Sequence, residues 1–433
     1  MIHLERKEKR ERSAFWLKAI YAALCSFAVY FCMYAFRKPF TAASFDQENF
    51  LGIDYKIWLV TAQVLGYTIS KFYGIRFISG LMPDKRALTI IVFILISWIA
   101  LLLFALVPPP FNIVLMFING FPLGMIWGLV FSYIEGRKAT EFMGATLAVS
   151  FIFSSGVVKT VGKYVTQWGV SEWWMPFVTG SLFFLPLLLF TWLLNKLPAP
   201  TAEDRMLRTE RKPMTKDERR SFLTHFFPGI AMIVLTYTLL TALRDFRDNF
   251  ANELWEELGF GSQPSIFTTA EVPVALIVLF CVGSLFMIKN NLKAFFITHY
   301  IIIAGYLISV AATFLFMNGL MGPLFWMIAV GVGLYLSYVP FNCIFFERLI
   351  ATYRVKSNVG FLMYIADSFG YLGSVLVLFM KNFVALELSW SRFFSNLILV
   401  ISIVGIAGTA LSLSYFRKKY ISTSTTTAAI YAI

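Results

Sequence analysis

Nine charged residues stand inside or at the ends of long apolar runs: Arg37, Lys38, Lys71, Lys159, Lys163, Arg244 and Arg247, with Glu271 and Asp367 as the acids. A cation at the centre of a membrane helix costs about 2.5–3.5 kcal/mol on insertion scales, so residues of this kind ordinarily line a cavity. Cations dominate the set, and a cavity so lined favours an anion. Arginine offers a planar fork of donors that matches a phosphate or carboxylate two bonds at a time. Two such residues, Arg37 and Arg244, are therefore candidates to grip one anion. The competing explanation is snorkelling, in which a long side chain near a span end reaches the headgroups. Residue counting favours snorkelling for Lys163 and Arg247, leaves Lys38 and Lys159 open, and weakens it for Lys71, which follows a long uncharged run. Arg37 is ambiguous by counting, because Pro39 marks either a helix end or a kink.

The elements that must hold these residues follow from composition. Of 433 residues, 58% are hydrophobic, 18% aromatic and only 14% charged, with a mean hydropathy of +0.72. Soluble monomers do not carry so large an apolar excess. A soluble enzyme, a disordered chain and a disulfide scaffold are excluded, and a polytopic membrane protein remains. The net charge of +13 does not indicate nucleic acid, because the basic residues sit mainly in short segments between apolar runs. Cys25, Cys32, Cys281 and Cys343 lie inside apolar segments at no motif spacing, and the three histidines are scattered. No metal centre and no cofactor are expected.

At about 20 apolar residues per crossing, the chain divides into twelve spans. They cover about 19–45, 55–79, two segments within the uncharged run 87–134 cut by Pro108-Pro109-Pro110, 143–165, 173–195, 221–249, 264–288, two within 294–346 split near Asn318-Gly319, 358–380 and 393–416. The predicted fold is all-α, with a six-helix bundle over 1–195 that includes a basic tail, a central loop over 196–220, a second six-helix bundle over 221–416 and a tail over 417–433. Most Lys and Arg residues fall on the side of the termini and central loop, whereas the loop after the seventh span is acidic. Both termini and the central loop are thus expected to be cytoplasmic. The first apolar run lacks a small-residue cleavage site and reads as a retained span. The mixed charges Glu203, Asp204, Arg205, Arg208, Glu210, Arg211 and Lys212 suit a solvated linker or a regulatory, lipid-binding element. Ser422–Thr427 reads as a low-complexity, disordered tail.

Arg37 and Arg244 lie 207 residues apart, each after the first span of its half, and Leu51-Gly52-Ile53 recurs as Leu258-Gly259-Phe260 at the same offset. A duplicated six-helix unit fits a transporter whose halves are parallel repeats. Gly120, Gly124 and Gly128 form a stripe that permits close helix packing. Asp84, in the turn before the third span, is a candidate cap for that helix, a conformational lock, or a plain solvated turn residue.

The stretch Gly80-Leu81-Met82-Pro83-Asp84-Lys85-Arg86 resembles the loop signature of the major facilitator superfamily. Met33-Tyr34-Ala35-Phe36-Arg37-Lys38-Pro39-Phe40 resembles the first-helix motif of its organophosphate:phosphate antiporter family. Ser70-Lys71-Phe72, Asn119-Gly120 with Gly124-Met125 and Trp127, Leu243-Arg244 and Phe369-Gly370-Tyr371-Leu372-Gly373 are similar to further blocks of that family. The resemblance implies Arg37 and Arg244 as paired substrate arginines, Lys38 and Lys71 beside them, and Glu271 as a helix-8 acid. Phe153 stands near a histidine of the glycerol-phosphate members, and Lys159, Arg247 and Asp367 have no counterpart, so the organic moiety is left open and a divergent branch is implied.

The expected function is secondary transport of a small anion, phosphorylated or otherwise organic, by alternating access, in exchange for inorganic phosphate. Proton symport through Glu271 or Asp367 is the variant, and a transporter-shaped sensor that binds a phosphorylated ligand without flux is the alternative. No nucleophile motif or carboxylate pair supports an enzyme. The expected partners are the anion and membrane lipids, for a monomer in a bacterial inner membrane.

Overall fold

The computed structural model describes residues 2–46, 48–79, 81–135, 137, 139–198, 216–353, 359–383 and 388–431. The chain is helical throughout, apart from a two-stranded hairpin and short turns. In order it forms α1 (Ile2–Tyr34), β1 (Asn49–Phe50), β2 (Ile53–Asp54), α2 (Tyr55–Ser79), α3 (Arg86–Leu106), α4 (Ile113–Ile134), α5 (Thr140–Gln167), α6 (Met175–Asn195), α7 (Lys216–Asn249), α8 (Ala251–Glu257), α9 (Ile266–Leu285), α10 (Asn291–Met317), α11 (Pro323–Pro340), α12 (Phe346–Tyr353), α13 (Val359–Phe383) and α14 (Trp390–Tyr431). Ten helical spans among the described residues are long and apolar enough to cross a bilayer. The α2 helix, with Gln63, Thr61, Thr68, Ser70 and Lys71 along it, is not among them, and α13 contributes a shorter apolar stretch, Ile365–Val377. The chain is an integral membrane protein.

Two compact units emerge, one comprising Met1–Thr209 with Ser262–Val272, the other Glu210–Gly261 with Pro273–Ile433. In the first, α2 packs on α4 along the glycine stripe. A Cβ at Gly120 would stand 2.2 Å from Gln63 O, and one at Gly124 would stand 2.0 Å from Ser70 Oγ and 2.5 Å from Tyr67 O. The stripe therefore serves helix packing. In the second, Gly305 and Gly333 bring α10 and α11 together in the same way, and Gly370 and Gly373 of α13 rest against Thr241 and Thr238 of α7.

Several sequence expectations change. The first helix does not run to Phe45. It ends at Tyr34, and a turn leads into a 3-10 helix, Pro39–Ala42. Proline is tolerated at such a first helical position because it lacks an N–H and its ring fixes φ. Asp84 does not cap α3: it is exposed in the 3-10 turn Pro83–Lys85, and the N-cap position belongs to Lys85, with no side-chain cap bond. Ser422–Thr427 continues α14 as helix instead of a disordered tail. The charges of the central loop from Glu203 to Lys212 lie outside the described residues.

The repeated tripeptides share a backbone feature. Gly52 (φ +74°) and Gly259 (φ +85°) both occupy the left-handed region, where only a residue without Cβ sits at no steric cost. Each precedes the second membrane helix of its half.

Candidate functional site

In the first unit, the end of α1 is braced by buried amides. The turn after α1 closes on the helix through backbone bonds from Ala35, Phe36, Arg37 and Lys38 N–H to Cys32, Met33 and Tyr34 carbonyls, and side-chain amides hold the carbonyls of the turn itself. Asn119 of α4 donates from Nδ2 to Phe36 O (3.0 Å) and to Ser97 O (3.0 Å). Gln63 of α2 donates from Nε2 to Asn119 Oδ1 (2.7 Å) and to Arg37 O (2.9 Å). These bonds hold the turn that carries Arg37. The guanidinium lies over the Tyr67 ring, 4.0 Å from its centroid, with the Tyr34 ring at 5.7 Å. Lys71 Nζ approaches the same Tyr67 ring at 5.3 Å. A ring face attracts cations and keeps their hydrogen-bonding edges available. The structure thus brings Arg37 and Lys71 together on one tyrosine. Lys38 is buried at the start of the 3-10 helix, where its carbonyl accepts from Thr41 Oγ1 (2.8 Å), and Lys56, also buried, donates to Thr41 O (2.8 Å).

Lys159 is buried on α5. The α5 surface around it meets the beginning of α9. Thr268 Oγ1 donates to Thr160 Oγ1 (2.8 Å), and a Cβ on Gly156 would meet the Glu271 stem at 2.7 Å. Residues three and four apart are neighbours on a helix, so Gly156, Lys159 and Thr160 form one patch, with Glu271 beside it. Lys163, one turn further, is half-buried. Phe153 packs against Phe27 and Phe31 of α1, at 5.6 Å from each. Asp84 is exposed and joins none of these groups.

In the second unit, Arg244 projects from the continuous helix α7. Its Nε and Nη2 donate to Asp245 Oδ1 at 3.0 and 2.7 Å, and its Nη1 donates to Tyr338 Oη. The guanidinium also lies 4.5 Å from the Tyr338 ring centroid. The Tyr237 and Tyr338 hydroxyls are 2.9 Å apart, and Tyr237 donates to Asp367 Oδ1 (2.5 Å). Arg244 and Asp367, distant in sequence, are thereby joined through two tyrosines on α7 and α11. Close packing of α13 on α7 at Gly370 and Gly373 fixes the reach of Asp367. A π-helical segment, Phe341–Phe345, follows α11, and its Asn342 accepts a longer bond from Tyr237 (3.4 Å). Such segments recur at functional sites.

Arg247 does not snorkel. It is buried, donates from Nη2 to Met327 O (3.1 Å), and leaves no room for a side chain at Gly331, whose Cβ would lie 2.7 Å from that nitrogen. The sequence reading missed Asp245, Gln63 and the tyrosines Tyr67, Tyr237 and Tyr338. Asp245 was legible as an acid inside an apolar span beside Arg244, whereas tyrosines are too common in this chain to stand out. Among the described residues, no group of three or more His, Cys, Asp or Glu side chains could hold a metal ion.

Among solved structures, the chain is similar to the xylose transporter XylE from E. coli in a partially occluded inward open conformation. The TM-score is 0.59 at 14% identity, covering 93% of this chain and 98% of that one. A D-xylose-proton symporter is similar to the same degree (TM-score 0.59, 15% identity, 92% and 97% covered). Likeness at this identity shows the fold: twelve membrane helices in two six-helix bundles, as in the major facilitator superfamily. No curated protein matches the sequence. Residues 39–419 match the profile of a family described as a family of unknown function (DUF5690), and the chain belongs to that family.

Proposed function

We propose that the protein is a secondary transporter for a small anion, phosphorylated or otherwise organic, working by alternating access in a bacterial cytoplasmic membrane with both termini inside. The observation that carries this reading is the pair of tyrosine-backed arginines, one in each unit: Arg37 over Tyr67 with Lys71 on the same ring, and Arg244 over Tyr338. Each arginine is a fork of donors suited to an anion, and Lys38 and Lys159 add positive potential in the first unit. The fold supports transport over catalysis, since the similar solved structures are transporters. The sequence blocks around Arg37, Lys71, Asn119, Arg244 and Gly370 favour the organophosphate:phosphate antiporter branch and exchange against inorganic phosphate. Phe153, packed among phenylalanines, offers no polar contact to a glycerol-like moiety, which argues for a different organic group.

A second reading, proton-coupled symport, is favoured by one observation: Asp367 connects to Arg244 through Tyr237 and Tyr338. Reconstitution in liposomes loaded with radiolabelled phosphate separates the readings. Exchange of internal for external phosphate without a pH gradient is the expected result. Net uptake that requires a proton gradient and disappears in Asp367→Asn would replace antiport by symport. Binding without any flux would leave a sensor.

A further inference from the structure

We propose that Asp245 is a built-in stand-in for the transported anion, holding the fork of Arg244 until an incoming oxyanion takes its place. The inference rests on the anion-transporter reading and adds to it the state of the site before substrate arrives.

Three observations carry it. First, a single carboxylate oxygen, Oδ1, bridges Nε and Nη2 of Arg244 at 3.0 and 2.7 Å. That edge of the guanidinium is one of those that bind an oxyanion in two-pronged fashion. The third nitrogen, Nη1, donates to the Tyr338 hydroxyl. Second, adjacent residues on a helix do not face each other, so the Arg244 side chain folds back along its own helix to meet its neighbour. Third, Asp245 is buried, and its other oxygen, Oδ2, has no hydrogen-bond partner. A buried carboxylate satisfied at one oxygen only is a poor match for a permanent ion pair. A tetrahedral or planar oxyanion that brings two oxygens to the fork and reaches the Tyr338 hydroxyl satisfies the same donors more completely.

The repeat sharpens the point. The position 207 residues before Asp245 is Lys38. The arginine of the first unit is followed by a cation and that of the second by an acid, so only Arg244 has a competing carboxylate next to it in sequence. The groups around the pair are Tyr237 of α7, Tyr338 of α11, and Asp367 and Tyr371 of α13. An oxyanion entering here takes over the fork from a carboxylate that stays tethered beside it, so the charge of Asp245 opposes the anion and lowers its affinity.

The test is equilibrium titration of the full-length protein in nanodiscs with inorganic phosphate and, separately, with succinate. Asp245→Asn removes the competing charge and is expected to bind one or both anions about tenfold more tightly than the wild type. Asp245→Glu, which restores the carboxylate, is expected to return the affinity to within about threefold of wild type. Wild-type binding with equal or weaker binding in Asp245→Asn overturns the stand-in and leaves the transporter reading intact. Failure of both proteins to bind either anion sinks the anion reading, and the stand-in with it. Should Asp245→Asn not fold, the infrared difference spectrum of phosphate-bound minus free protein, recorded in an Asp367→Asn background, serves instead. A change in the carboxylate stretching region supports displacement, and a flat region overturns it.

Discussion

The two arginines separated by 207 residues are built into different backbones. Arg37 sits on the turn between the end of α1 at Tyr34 and the 3-10 helix that Pro39 begins, and its carbonyl is held by Gln63. Arg244 sits inside α7, which runs on to Asn249; the residue at the proline's place in the repeat is Phe246. Both guanidinium groups lie on tyrosine rings, yet the tyrosines come from different parts of the two units, Tyr67 on α2 and Tyr338 on α11. The neighbouring charge also reverses, with Lys71 sharing Tyr67 in one unit and Asp245 bonded to Arg244 in the other. What the two units share is an arginine guanidinium placed near a tyrosine ring, 4.0 Å from the centroid in one and 4.5 Å in the other. The surroundings differ: electropositive around Arg37, and neutralised by Asp245 around Arg244.

The largest expected effect comes from removing either arginine. Arg37→Ala and Arg244→Ala are each expected to abolish phosphate exchange in liposomes while expression and detergent-extracted yield stay near normal. Arg→Lys is expected to fail as well, because a point charge reproduces neither the fork nor the stacking. Lys71→Ala tests the asymmetry: exchange is expected to fall several-fold without vanishing, since Lys71 adds potential where Arg37 adds geometry. Full exchange in Arg37→Ala would break the comparison at its root.

Next come the groups that brace the turn of Arg37. Asn119→Ala removes two donors from buried carbonyls and an acceptor from Gln63. Each buried polar group left without a partner costs about 1–3 kcal/mol, so a clear drop in melting temperature is expected, together with loss of exchange. Gly124→Ala would place a methyl 2.5 Å from Tyr67 O. Overpacking of this kind costs about 1–3 kcal/mol. It would also push on the residue whose ring carries Arg37 and Lys71, so affinity for phosphate is expected to fall along with stability. A melting temperature unchanged in Gly124→Ala would show that α2 and α4 are not locked at that point.

Much of this architecture was readable before any coordinates. Hydrophobic runs and their breaks at Pro108–Pro110 and Asn318-Gly319 located the helices, because a bilayer imposes a fixed length on each crossing. Gly52 and Gly259 of the repeated tripeptides both adopt positive φ, as do the turn glycines Gly169 and Gly319. Charge placement was harder. Arg247 looked like a span-end cation because residue counting measures distance along the chain and not burial by neighbouring helices. In the fold Met327 and Gly331 of α11 enclose it. For Asp84 the sequence left a cap, a lock and a solvated turn open; Pro83 starts a 3-10 turn that moves the cap position to Lys85 and leaves Asp84 exposed. The tyrosine chain from Arg244 to Asp367 was not legible, since it depends on three helices meeting and no spacing records that.

The smallest effect concerns the repeated turns themselves. In the first unit the turn at Gly52 is held by backbone pairing of Asn49–Phe50 with Ile53–Asp54. In the second, the corresponding turn at Gly259 follows Glu257, whose carboxylate accepts from Ser391 N (3.1 Å) and from Ser391 Oγ at the start of α14. The first helix N–H groups have no partner within their own helix, and a negative charge there is favourable. Partial burial raises the Glu257 carboxyl, but bonds from Ser391, Ser389 and the Ser391 and Trp390 backbone outweigh it and leave the group below its ordinary value. A carboxylate depressed in the folded state stabilises above the ordinary carboxylate range, and that contribution is lost as pH falls through the lowered value. The site is exposed, so solvent screening limits the effect to below about 1 kcal/mol. Glu257→Gln is therefore expected to lower the melting temperature at pH 7 by on the order of 1 °C. The gap from wild type should close as the pH is brought below about 4. A substitution in the first hairpin that leaves its backbone pairing intact, such as Asn49→Ser, should show no pH-dependent gap. If both turns responded alike to acid, the distinction between a backbone-held and a carboxylate-held turn would be lost.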